Sequence, residues 1–457
     1  MFIEIVKSTG LAHLSYLVGA GGQAAVIDPR RDCEIYVELA REHGSEITHV
    51  LETHRNEDLV SGAPILARMT GAAVLHGPNP AQPIAFAKTV REGETLSLGQ
   101  LRVRVLETPG HTDDSLSYAI FDDDFGDDAV GVFTGDALFI GDVGRTDFYP
   151  ERSEEVAGLL FDSLQKLMGL GDQAIVYPAH GAGSVCGDNM ADREFSTIGF
   201  ERRNNPMLQI NDRDAFIARK VGEQHYQPPY FRLMEHLNAV GAEPASRVLV
   251  PRAITPMEFS EATDSAVVVD VRSTAAYLGA HLPGSLAIPT DMLAAFAGWL
   301  LDPEQDILLV ADSAAEAHRA ATHLARIGYD RIKGFLTAQL PVWAAGGRPF
   351  RVLTVVDADE VARRVADDGD GWTLLDVRSA GETATGVIPG ARQIYVGEVA
   401  QQLDTLDPAR RYTVMCGSGA RATVAASVLQ RAGFDQIDVF MGSMGAWRAA
   451  QHPTVEA

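Results

Sequence analysis

Thr53-His54-Arg55-Asn56-Glu57-Asp58-Leu59 follows residues 47–51, which read as a strand, so its histidine and acids leave the end of a predicted strand. The arrangement recurs along the first half. Residues 101–107 read as a strand that delivers Thr108-Pro109-Gly110-His111-Thr112; residues 129–133 deliver Thr134-Gly135-Asp136; residues 174–177 deliver Pro178-Ala179-His180-Gly181. Each ligand-type side chain falls on a loop just after a strand, where polar groups converge while the sheets bury apolar faces. Upstream, residues 14–18 and 24–27 read as paired strands about Gly19-Ala20-Gly21-Gly22, and Glu34–Glu42 has helical spacing.

The ordered set resembles the metallo-β-lactamase superfamily, whose metal loop reads T-H-x-H-x-D-H. The resemblance implies an α/β/β/α sandwich, placed here at residues 1–250. Two of the three loop histidines are replaced, by Asn56 and Leu59. His54, His111 and Asp136 remain and are the expected metal ligands. Two imidazoles and one carboxylate with open positions suit one non-haem Fe(II) per chain that activates oxygen. In two-metal relatives Asp58, His180 and a histidine at the place of Leu59 hold a second ion. Leu59 cannot ligate, so Asp58 and His180 are expected behind the ligands or on the substrate side. His13, His43, His49 and His76 match no ligand position, and Asp113, Asp114 and Asp142 read as turn or capping residues.

Within that superfamily, residues 1 to about 245 resemble the persulfide dioxygenases, notably at Gly141-Asp142-Val143-Gly144-Arg145-Thr146-Asp147-Phe148. The resemblance implies that Arg145 and Asp147 shape a substrate pocket. It also implies that a low-molecular-weight thiol persulfide, O2 and water are converted to sulfite and the thiol. Cys186, six residues after His180, reads equally as a thiol that relays sulfane sulfur near the metal and as a small buried residue. Cys33 is expected to be structural. Asn204-Asn205-Pro206 reads as the end of this unit, with a mixed helical stretch around Gln227-Pro228-Pro229-Tyr230 leading to a boundary near residue 250.

The second half repeats itself. Asp270-Val271-Arg272-Ser273 and Leu282-Pro283-Gly284 return as Asp376-Val377-Arg378-Ser379 and Ile388-Pro389-Gly390, and Trp343 and Trp447 close the two copies. A short apolar strand, a loop and an Ala-rich helix in each copy predict α/β domains with parallel sheets at 251–352 and 353–457. In the second copy Met415-Cys416-Gly417-Ser418-Gly419-Ala420-Arg421 follows a strand and opens a helix, so Cys416 should face backbone N–H groups that favour anions. This resembles a rhodanese active-site loop, with Cys416 carrying a covalent persulfide and Arg421 facing an anionic substrate. It departs from that family at Gly417, where Arg or Lys is frequent, and at Val387, where His is frequent. The first copy reads Ala311-Asp312-Ser313-Ala314-Ala315-Glu316 there and is expected to be inactive.

A net charge of −24 argues against nucleic acid or anionic membrane as a partner, since both need basic patches. The start of the chain lacks a basic leader, and three cysteines form no disulfide framework, which fits a reducing cytoplasm. A dimer or tetramer is suggested by analogy alone. The expected activity is therefore a fused iron persulfide dioxygenase and sulfurtransferase exchanging sulfane sulfur among persulfide, sulfite and thiosulfate, in a direction the sequence leaves open. Its rivals are a zinc-dependent glyoxalase II-like thioester hydrolase with a rhodanese module, and a sulfur carrier with a vestigial metal site. Which thiol carries the persulfide is not written in any motif.

Overall fold

The computed structural model describes residues 1–184, 187, 190–193, 195–223, 225–245, 250–337, 340–367 and 371–456. Cys186 lies outside the described residues. Backbone packing divides the chain into two units, one of residues 1–247 with Ala325–Gly328, the other of residues 248–324 and 329–457.

The first unit is built on two sheets. One is six-stranded, in the order Phe2–Ser8, His13–Ala20, Gln23–Ile27, Glu46–Leu51, Ala73–His76, Lys88–Thr89. The other is five-stranded, in the order Ile175–Pro178, Ala129–Gly135, Leu116–Asp122, Leu101–Glu107, Thr95–Leu98. Strand alternation sorts their side chains. Tyr16, Val18, Ala25 and Ile27 join Val103, Val105, Tyr118, Ile120 and Phe133 in one buried cluster between the sheets. Leu17, Ala24 and Val26 point the other way and meet Tyr36 of helix Glu34–Glu42 and Leu66 of helix Ala63–Thr70. Across the molecule, Ala119, Phe121, Val132 and Val176 pack on Leu160, Leu164 and Leu167 of helix Ser153–Met168. Both sheets are covered on both faces, which is why Ala24-Ala25-Val26-Ile27 is apolar throughout instead of alternating. The layers run helix, sheet, sheet, helix, as the resemblance implies.

The unit does not end at Asn204-Asn205-Pro206. Asn205 is buried and its amide donates to the Asp142 carbonyl at 3.0 Å and to Glu201 at 3.1 Å. Met207 and Phe216 beyond it enter the same core as Leu160. The run that looks like a terminator is an internal corner, because the asparagine satisfies buried acceptors there.

The second unit holds two sheets with parallel pairings. The first has the order Leu286–Ala287, Ala266–Asp270, Asp306–Ala311, Ile332–Thr337. The second has the order Thr354–Val356, Ile437–Phe440, Arg411–Met415, Trp372–Asp376, Arg392–Gln393, so it adds an edge strand to the shared plan. The repeated Asp-Val-Arg-Ser has a structural explanation. Asp270 and Asp376 end their strands, and Arg272 and Arg378 turn back on them with Nη2–Oδ2 separations of 2.6 Å in both copies. The same guanidinium groups donate to the carbonyls of Ala280 and Gly386. Ser273 and Ser379 then cap the following helices, the latter in a reciprocal capping box with Glu382. Trp343 and Trp447 are buried in their respective cores and donate to the Pro349 and Pro453 carbonyls. No helix among the described residues is long and apolar enough to cross a membrane.

Candidate metal centre and sulfur-transfer loop

Behind the strand ends of the first unit, buried side chains fix the tautomer of two histidines. Asp28 accepts from the Thr53 backbone N–H and from its hydroxyl, both at 2.7 Å. The Thr53 oxygen, having spent its proton on Asp28, is left to accept from His54 Nδ1 at 2.9 Å. His111 Nδ1 donates to the Arg145 carbonyl at 2.9 Å. Both imidazoles therefore carry their proton on Nδ1 and turn the Nε2 lone pair inward, the state a metal requires. Those two Nε2 atoms are buried and have no hydrogen-bond partner among the described residues. Asp136 Oδ2 lies 3.5 Å from His111 Nε2 and 3.9 Å from His54 Nε2. His54, His111 and Asp136 thus converge as a group able to hold one ion, and their donor chemistry fits it.

Asp58 and His180 stand behind this group. His180 Nδ1 meets Asp136 at 2.8 Å, and its Nε2 meets Asp58 at 3.0 Å, so one imidazole bridges two carboxylates. Burial alone would raise the Asp136 carboxyl, but His180, with His54 and His111, holds it well below the ordinary carboxylate range. Burial pulls His111 down, and the neighbouring Glu57 and Asp136 carboxylates outweigh it and push the group up. Leu59 is buried where two-metal relatives place an imidazole, and Asn56 Nδ2 turns back to the His54 carbonyl at 3.3 Å.

Arg145 is buried and forked onto Asp147 with two contacts of 2.6 Å, and its guanidinium lies 4.9 Å over the Phe148 ring. Phe148 in turn stands edge-on to His111, with ring centroids 5.2 Å apart. Burial would raise Asp147, yet Arg145 holds it down at about 2. Gly144 allows this segment its place: a Cβ there would come within 2.0 Å of the Asp136 carbonyl oxygen and 3.2 Å of His111 Cβ. Of the aspartates expected in turns, Asp114 accepts from Thr112 at 2.6 Å, Asp113 pairs with Arg152, and Asp142 accepts from the Val143 N–H. Cys33 is buried and its thiol donates to the Arg30 and Gly62 carbonyls.

Three functional neighbours escape a reading of the sequence. Asn238, on helix Phe231–Val240, donates to the Asn56 and Leu59 carbonyls at 2.7 and 2.8 Å and accepts from Ser61, clamping the metal loop. No local signal marks it. Glu57 is buried beside both ligand histidines, and its only signal was an acid within one turn of His54. The third is Glu382, in the other unit.

Cys416 ends the strand Arg411–Met415 and precedes helix Ala420–Arg431. Its buried sulfur accepts from the Gly419 N–H at 3.1 Å, one donor where a ring was expected among the described residues. Gly419 has φ +115°, and a Cβ on it would come within 2.5 Å of Met441 Sδ. Three backbone bonds, Gly442 to Ser418, Met444 to Cys416 and Gly445 to Gly417, strap the loop to the next turn. Arg421 does not point a free charge at this loop. Both its terminal nitrogens bind Glu382 at 2.6 Å. Gly417, Ser418 and Ala420 contribute backbone alone. In the first copy Ala311 replaces the cysteine, and Glu316 is taken up by Thr290 and Arg319.

Residues 8–180 match the metallo-beta-lactamase superfamily, and residues 255–343 and 357–450 each match the rhodanese-like domain. A hydroxyacylglutathione hydrolase of Rhodospirillum rubrum is 34% identical over 162 residues, 35% of this chain and 58% of that relative. Among solved structures, a metallo-beta-lactamase from Staphylococcus aureus subsp. aureus COL superposes with a TM-score of 0.67 at 30% identity, covering 74% of this chain and 99% of that one. ETHE1 from Myxococcus xanthus gives a TM-score of 0.45 at 31% identity, over 52% of this chain and 98% of that one.

Proposed function

The chain belongs to the metallo-β-lactamase superfamily and carries tandem rhodanese-like domains, and from that premise we propose that it is a mononuclear iron persulfide dioxygenase joined to a sulfurtransferase. The observation that carries this reading is a single metal position among the described residues. His54, His111 and Asp136 converge, whereas Asp58 and His180 contact each other at 3.0 Å and a leucine fills the place of a further imidazole. The reaction is RSSH + O2 + H2O giving RSH and sulfurous acid, ionised to sulfite.

Iron, when bound, supplies electron transfer to dioxygen and a soft site for the persulfide sulfur. The protein contributes orientation and exclusion of water. Thr53 and the Arg145 carbonyl lock the two imidazoles, and Phe148, braced by Arg145, walls the side next to His111. In the last domain Cys416 attacks the outer sulfur of RSSH; RSH leaves and the cysteine carries the persulfide. Sulfite then takes that sulfur, leaving as thiosulfate and restoring the thiolate. The first rhodanese-like copy, with alanine at the matching position, takes no part in this transfer.

The named relative fits a second reading, hydrolysis of a glutathione thioester by zinc, through likeness over 35% of this chain. Asn56 and Leu59 stand against it, because a two-metal hydrolase needs imidazoles there. Products formed from glutathione persulfide test the proposal. The wild-type chain should release thiosulfate with sulfite, and Cys416→Ala should release sulfite alone at an undiminished rate of oxygen uptake. Thiosulfate formation unchanged in Cys416→Ala would remove the sulfurtransferase half.

A further inference from the structure

The loop that opens helix Ala420–Arg431 carries one cation. From Met415 to Arg421, and from Met441 to Gly445 on the turn strapped to it, Arg421 is the single basic residue. It stands beside the sulfur: a Cβ on Gly417 would lie 3.4 Å from Arg421 Nη2 and 3.8 Å from Glu382 Oε1. The guanidinium is within electrostatic reach of Cys416. Yet it is forked onto Glu382, Nη1 to Oε2 and Nη2 to Oε1, both at 2.6 Å. Glu382 is fixed in turn, because its Oε2 also accepts from the Ser379 N–H at 3.1 Å and the Ser379 hydroxyl at 3.0 Å in the capping box. Burial would raise its carboxyl, but Arg421 holds it down at about 2, so the acid is ionised at neutral pH.

From this pairing we infer that Glu382 is a specificity-determining residue: it cancels the one cation of the sulfur-transfer loop, so that Cys416 discriminates against dianionic sulfur donors and holds thiosulfate weakly. The inference rests on reading Cys416 as the sulfur carrier and is independent of the metal position. With thiosulfate as donor, the Cys416 thiolate attacks the outer sulfur of S2O3²⁻. The S–S bond breaks, its electron pair leaves with SO3²⁻, and Cys416 keeps the sulfur as its persulfide anion. Two anions must meet in that step, and positive charge beside the sulfur eases their encounter. A protonated persulfide, RSSH, brings no charge to the same attack and needs no such help. The neutral pair also lets product thiosulfate leave.

Two measurements on the full-length chain test this, in wild type, Glu382→Gln, Arg421→Gln and the double variant. Glutamine still serves a capping box, so Glu382→Gln keeps the start of its helix. The first is the ratio of rate constants for alkylation of Cys416 by iodoacetate and by iodoacetamide, followed by mass on the Cys416 peptide. Both reagents need the same thiolate, so the ratio reads the charge beside the sulfur and requires no turnover. The second is KM for thiosulfate with cyanide as acceptor, Cys416→Ala serving as control. Glu382→Gln should raise the ratio and lower KM by about 2- to 5-fold, the effect of one partly exposed ion pair. Arg421→Gln should do the reverse, and the double variant should return toward wild type. An unchanged or lower ratio in Glu382→Gln, or the same loss in all three variants, would overturn the inference. Turnover that survives in Cys416→Ala would instead remove the carrier reading, and the specificity claim with it, whatever the ratio.

Discussion

A histidine binds a metal only through the ring nitrogen that carries no proton, and for His54 that choice is made by Asp28 acting through Thr53. Thr53→Val keeps the volume and removes the oxygen that accepts from Nδ1. Its affinity for a divalent ion should fall about 10- to 100-fold, as for other supporting groups behind metal ligands. Competition with a chromogenic chelator measures it, and an unchanged constant would show that Thr53 does not set the tautomer. Asp147 gives a pH dependence of definite sign. Its folded value, held at about 2 by Arg145 against the effect of burial, is below that of an unfolded aspartate. Its contribution is therefore fully present above about pH 4 and is lost as pH falls toward the folded value of about 2. The stability gap between wild type and Asp147→Asn should shrink as pH falls from about 4 to about 2 in urea titrations; a constant gap would count against the ion pair. Residue identity was legible at this scale where a motif carried it, as at His54 and Asp136. Partnership was not: Arg421 and Glu382 are 39 positions apart, and nothing local tells that the arginine is already engaged.

Elements were easier to read than their ends. Glu34–Glu42 and Leu101–Glu107 are legible to the residue because periodicity and flanking turns agree, and the paired strands about Gly19–Gly22 differ only in length. Asn205 misleads because a polar residue before proline reads as a boundary, whereas a buried amide with two acceptors makes it an internal corner. The Asp-Val-Arg repeat was legible as a motif, while its cause, an ion pair closing back on the strand end, belongs to side-chain geometry. That cause predicts a cost. Asp376→Ala leaves Arg378 buried without its counterion and should destabilise the second unit by about 3–5 kcal/mol. Replacing both residues by apolar ones of similar volume should cost less. Urea unfolding followed through the second unit's transition checks both, and equal losses in the two variants would refute the explanation.

At the scale of the whole chain, one product links the two chemistries. On the proposed reading, sulfite released at the metal position would be the acceptor that lets Cys416 discharge its sulfur as thiosulfate, so that the two domains would together carry a route from persulfide to thiosulfate. The first copy keeps its buried Asp270–Arg272 pair and its capped helix, so it retains the fold without the cysteine. The domain types were legible because each rests on short motifs in fixed order; the metal loop's departures were legible too, but not that Glu57 would turn inward.

The most direct measurement is oxygen uptake by the full-length chain, loaded anaerobically with iron and then given glutathione persulfide. The account predicts one O2 consumed per sulfane sulfur oxidised to sulfite, with uptake abolished in His111→Ala. No uptake with glutathione persulfide or other small persulfides, together with hydrolysis of S-lactoylglutathione by the zinc-loaded chain, would contradict it.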